Sequence, residues 1–204
     1  MGLVIAVFDL AELVSDEEIE AWELAEFKET YDQLNKFLLK MGLPEHIEPE
    51  EIPDGVIYRG EIVGFPYSCI HYLRRAYIYQ KLGLTLTPCS DGASSDPVLT
   101  AEYQSPQIDS HLIHFSDSSG FYVPIDFAKP LEADYEDEVL GDAVGSSFGL
   151  LRELIEVAPT IGIDLNEGEL SDGRAAELAD FENEKKHPFE TERMVWFTLY
   201  EAAR

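Results

Sequence analysis

Positive charge is scarce in this sequence. Its 204 residues hold 14 Lys and Arg against 41 Asp and Glu, a formal net charge of −27 at pH 7. A surface built to bind nucleic-acid phosphates or anionic lipid needs excess cation, so neither nucleic acid nor a membrane is expected as a partner. Cysteine is scarce too: Cys69 and Cys89 stand alone, without Cys-x-x-Cys spacing. That argues against a disulfide scaffold or structural zinc, and fits reduced thiols in a cytoplasmic protein. No apolar run reaches the roughly 18 residues a membrane span needs. The N-terminal run Leu3 to Leu10 holds Asp9 and has no cationic leader, so a signal peptide is not expected.

What is present is globular composition, 45% apolar and 11% aromatic. Area scaling lets a chain of this size bury about 70% of its surface, enough for a core. The expectation is a single α+β domain over residues 1–204, with loops at 44–55, 87–97 and 130–140. Leu3 to Leu10 reads as a buried strand. Ser15-Asp-Glu-Glu18 reads as a capping box, followed by the helical stripe Leu24, Phe27, Tyr31, Leu34, Phe37, Leu38 and Met41. Gly42 and Pro44 end it. Further helices are expected over 67–82, 147–157, 169–181 and 188–203, and strands over 56–64, 98–103 and 110–127. The sheet is expected to be mainly antiparallel.

Several motifs carry chemistry in other proteins. Val-Ile-Ala-Val-Phe-Asp9-Leu-Ala11 resembles the first motif of haloacid-dehalogenase phosphatases, but Ala11 stands where the acid/base Asp belongs. Gly145-Ser-Ser147-Phe-Gly149 matches Gly-x-Ser-x-Gly, yet the preceding Val139–Val144 is broken by Gly141 and Asp142, a poor buried strand for a nucleophile elbow. An N-cap at Ser146 or Ser147 is the expected role.

The segment Asp109–Phe127 reads as a hairpin around Asp117-Ser-Ser-Gly120. Pairing across that turn sets His111 opposite Asp126 on the face that also carries Tyr122. A carboxylate-oriented imidazole can serve as a general base. His111 and Asp126 are therefore the candidate catalytic pair, with Tyr122 and Arg75 as candidate binding residues. His111 and His114 are an odd offset apart on a strand and face opposite ways, so no metal site and no cofactor is expected.

The segments Ser110–Phe127 and Gly145–Leu154, with the Trp-bearing C-terminal helix, resemble an uncharacterised bacterial family over roughly the C-terminal half. The resemblance implies no activity and no functional residues. The acidity itself has three readings: a solvated surface, a salt-adapted host (weakened by seven Lys beside seven Arg), or a face built for a basic partner. The expected function is a non-enzymatic binding protein, immunity-like, that neutralises a basic protein such as a toxin. The alternative is a small-molecule hydrolase using His111 and Asp126 in a cleft.

Overall fold

The computed structural model describes residues 2–7, 9–15, 19–52, 54–60, 64–89, 92–107, 109–116, 119–133, 140, 143–180 and 184–204. The elements in chain order are β1 (Gly2–Leu3), α1 (Asp9–Ser15), α2 (Ala21–Lys40), β2 (Phe65–Pro66), α3 (Tyr67–Lys81), α4 (Pro97–Tyr103), β3 (Phe121–Val123), β4 (Leu131–Glu132), β5 (Ala143–Ser146), α5 (Ser147–Val157), α6 (Asp172–Ala179) and α7 (Glu190–Ala203). The chain is α+β, as its pattern of apolar spacing predicts. No helix among the described residues is long and apolar enough to cross a membrane.

Helices α3, α5 and α7 enclose the larger core around Leu73, Leu154, Val157, Val195 and Trp196. The Trp196 indole donates to Leu154 O at 2.7 Å, so its polar edge is satisfied inside the core. A smaller core joins Leu34, Phe37 and Leu38 of α2 to Val123, Leu140 and Val144, seating α2 on the three-stranded sheet.

That sheet has the order β3-β5-β4 and is mixed. β3 runs parallel to β5, and β4 runs antiparallel to it. The expected 110–127 hairpin does not form. Ser110 to His114 make a helical turn instead: His114 N–H donates to Ser110 O at 3.0 Å, and Ser110 Oγ accepts from Ile113 N–H at 2.9 Å. The buried carboxylate of Glu153 on α5 accepts from His111 N–H at 3.0 Å, from Leu112 N–H at 2.7 Å and from Ser110 Oγ at 2.9 Å. A carboxyl group thus supplies the acceptors where a helical turn leaves N–H groups unpaired. The consecutive Leu112 and Ile113 are both buried.

Three further expectations are corrected. Residues 98–103 are helical, because Asp96 caps Val98 N–H and Leu99 N–H and Pro97 sits at the first helical position. The run from Leu3 keeps only β1 before α1 begins at Asp9, with Val4 76% exposed. Residues 56–60 form no strand. The predicted capping box lies partly outside the described residues, at 16–18. α2 starts instead at Glu20, whose N–H donates to the Glu23 carboxylate at 3.0 Å. Most of the acidic stretch 132–138, and the turn residues Asp117 and Ser118, also lie outside the described residues.

Candidate partner-binding face

The structure separates most of the residues that the hairpin reading had joined. His111 is buried at the end of β5: its Nδ1 accepts from Ser146 N–H at 3.1 Å, so Nε2 carries the hydrogen and donates to Phe127 O at 3.0 Å. Burial holds its pKa below the ordinary value, and the imidazole is a neutral cross-link. Asp126 lies on the surface, 2.8 Å from Arg152 Nη2, with both side chains more than half exposed. Tyr122 does reach His111, but through the backbone, its hydroxyl donating to His111 O at 2.6 Å. Arg75 is committed to Asp96 at 2.8 Å and to Thr87 O at 2.9 Å, with its guanidinium 4.5 Å from the Tyr79 ring centroid.

The Gly-x-Ser-x-Gly segment serves packing. Ser146 Oγ caps α5 by accepting from Gly149 N–H at 2.9 Å. A Cβ on Gly149 would lie 2.2 Å from the His111 ring, and one on Gly145 would lie 2.6 Å from the Tyr122 ring.

Glu102, Asp109 and His114 bring one side-chain atom each within 4.8 Å of one another. The histidine is turned the wrong way for a ligand. Ser110 N–H donates to its Nδ1 at 3.1 Å, so Nε2 bears the hydrogen and presents a donor toward Glu102 Oε1 at 3.7 Å.

Cations are drawn inward. Arg74 is buried and donates to Leu112 O and Phe115 O, each at 2.7 Å. Arg193 is 2% exposed and donates to Gly162 O at 2.8 Å and to Glu184. Arg59 holds the buried Glu201 at 2.7 Å, and Arg75 holds Asp96. Of these, Arg74, Arg75 and Arg193 are buried, three against the three buried carboxylates Glu153, Glu192 and Glu201. Among the described residues, then, the interior takes up no excess of negative charge, and the excess is carried outside.

Helix α2 shows how that surface charge is laid out. Glu20, Glu23, Glu26, Glu29 and Asp32 recur every third residue, a rise of about 4.5 Å per step. Each step falls about 60° short of a full turn, so from Glu23 to Asp32 the stripe crosses about half the helix circumference diagonally. All but Glu23 are exposed, and Glu29 and Asp32 lie on the side away from Leu34, Phe37 and Leu38. Lys36 and Lys40 follow in the C-terminal half, so charge along α2 opposes its macrodipole.

The connector after α2 folds back along it. Asn35 Oδ1 accepts from His46 N–H at 2.7 Å, and Asn35 Nδ2 donates to His46 O at 2.9 Å. Lys28 Nζ lies 3.1 Å from Glu50. Residues 46 to 50 therefore run antiparallel beside residues 35 to 28, with Glu45 and Glu50 exposed at either end. The connector thus sets exposed Glu45 and Glu50 beside the flank of α2 that carries Lys28 and Asn35.

A family model described as "Putative DNA-mimic protein" matches residues 1–204. The chain belongs to this family. No curated protein and no solved structure matches it.

Membership in a DNA-mimic family covers the whole chain, where the resemblance read from sequence covered its C-terminal half. It overturns both functional expectations, the immunity-like protein that neutralises a basic toxin and the hydrolase built on His111 and Asp126. The partner class it supports is a nucleic-acid-binding protein. The expectation of no nucleic acid is corrected in the same way: nucleic acid bears on this chain as the thing imitated. The sequence carries a three-residue period of acid from Glu20 to Asp32. An argument from total charge passes over such spacing.

Proposed function

We propose that this chain occupies the DNA-contacting face of a nucleic-acid-binding protein, presenting carboxylates where DNA presents phosphates. The observation that carries the reading is the stripe of exposed carboxylates on α2, with Glu45 and Glu50 of the connector beside it. Each strand of duplex DNA offers a line of negative charge with about 3.4 Å of rise per charge. The α2 stripe, at about 4.5 Å per charge, is comparable. Family membership supports the same reading, and internal pairing of the arginines leaves these carboxylates unopposed by them.

The test is competition. The chain should release proteins held on double-stranded-DNA cellulose, and a released protein, once purified, should bind either the chain or labelled duplex but not both together. The triple variant Glu26→Gln, Glu29→Gln, Asp32→Asn should keep its fold, because all three side chains are exposed. It should compete about tenfold or more weakly, as three charges are lost from a field that steers and holds the partner. A chain that binds the partner simultaneously with duplex would refute the reading.

A further inference from the structure

The connector beside α2 is patterned inside out. In an extended segment side chains alternate between faces. Here His46 and Glu48 point inward, their side chains 13% and 9% exposed, and meet each other at 2.6 Å. Ile47 between them is 87% exposed. A soluble protein ordinarily buries the isoleucine and hydrates the ionisable pair. Asn35 prevents that arrangement. Its side-chain amide is bonded to both the N–H and the carbonyl of His46, which fixes the orientation of the backbone there, and the Tyr31 ring packs on His46 at 6.4 Å. With residue 46 held against α2, residue 47 has to face solvent.

We propose that Ile47 is a preset apolar anchor, seated in the DNA-contacting face of the partner in the place of a thymine methyl group. This rests on the DNA-mimic reading above. Proteins that read the major groove meet the thymine C5-methyl with apolar side chains set among the Lys and Arg that hold phosphates. Ile47 offers methyl groups in the matching setting, with exposed Glu45 and Glu50 along the same connector and Glu29 and Asp32 on the adjoining helix. Charge complementarity selects this occupant. A second copy of the chain brings a like-signed face and is repelled, whereas a cationic face with an apolar recess meets both the carboxylates and the isoleucine. Because the backbone is already fixed, little conformational freedom remains to be lost on docking.

The test uses the full chain and a protein that wild type releases from double-stranded-DNA cellulose, purified and titrated at several salt concentrations. Ile47→Ser should weaken binding at least about tenfold at every salt concentration, leaving the salt slope unchanged, since apolar burial is not screened. Ile47→Leu should restore most of the affinity, and Asn35→Ala should weaken binding by freeing the connector. Thermal unfolding of Ile47→Ser should match wild type, because the side chain touches little in the free chain. Wild-type affinity for Ile47→Ser, with the α2 charge variant impaired, would overturn the anchor and leave mimicry standing. A loss that fades as salt rises would also overturn it, as the mark of a charge effect. If wild type releases no protein from the column, mimicry and anchor fall together.

Discussion

Glu153 illustrates how one side chain can override a local sequence pattern. Its carboxylate accepts three hydrogen bonds from the 110–112 backbone and Ser110, yet burial dominates and pushes its pKa up to about 7. The folded value therefore lies above the unfolded one, near 4.3. The contribution is fully present below the unfolded value and is lost as pH rises through about 7. Glu153→Gln removes this titration, so the stability advantage of wild type over the variant should be larger at pH 5 than at pH 8. Urea unfolding of both proteins at the two pH values measures it; an equal gap would mean that Glu153 does not titrate in this range. Gly149 gives a second test at the same scale. A methyl there would strike the His111 ring, so Gly149→Ala should destabilise by about 1–3 kcal/mol through overpacking, read from the denaturation midpoint.

Asp96 is the corresponding case for an element. It caps α4 and also holds the buried Arg75, while receiving a hydrogen bond from Tyr79 at 2.9 Å. Burial pushes its carboxyl up, but Arg75, Tyr79 and the two N–H groups outweigh this and hold it below the usual range. Loss of an N-cap alone is worth about 1 kcal/mol. Asp96→Ala also strands a buried guanidinium, so a loss of about 3–5 kcal/mol is expected, with Asp96→Asn intermediate because it keeps a capping oxygen. Chemical denaturation of the two variants separates cap from ion pair. These elements also show what sequence reveals. α2, α3, α5 and α7 were legible because each carries an apolar stripe at helical spacing with a Gly, Pro or polar cap nearby. α4 was missed although Asp96-Pro97 is a helix start, because Val98, Leu99 and Tyr103 also suit a strand. The 110–127 hairpin was misread because its alternation is real but the acceptor that bends residues 110–114 lies about forty residues away, on α5. Arg75, read as a binding residue, is held by Asp96 and Thr87 O, partners set by the fold; His111 and Asp126 were joined only by a register that the chain does not adopt. The exposure of Ile47 had no local signal, since it depends on an amide twelve residues earlier, at Asn35.

At the scale of the whole molecule, charge is sorted by depth. Arg59, Arg74, Arg75 and Arg193 bind carbonyls and carboxylates inside, while the surface keeps the acid. The lysines Lys28, Lys36 and Lys40 of α2 remain outside, and Lys28 meets Glu50 with both side chains at least half exposed. Such an exposed pair is worth little to stability, about 0–1 kcal/mol. Lys28→Gln should therefore leave the unfolding midpoint nearly unchanged while strengthening partner binding, because it frees Glu50 and removes a like charge from the path of a cationic face. Titration of the variant against the released partner checks both halves of that expectation, and weaker binding would place Glu50 outside the contact.

Duplex DNA carries one charge per about 1.7 Å and so gathers a condensed sheath of counterions, whose release into solution drives much of its grip on proteins and fails steeply as salt rises. The α2 stripe runs for only five carboxylates, about 18 Å, and so short a line gathers far less of a sheath than a long duplex does. The imitator should lose affinity more slowly than the original along the same salt series. Near-physiological and higher ionic strength then favours the protein over the nucleic acid for one shared site, and dilution returns that site to DNA.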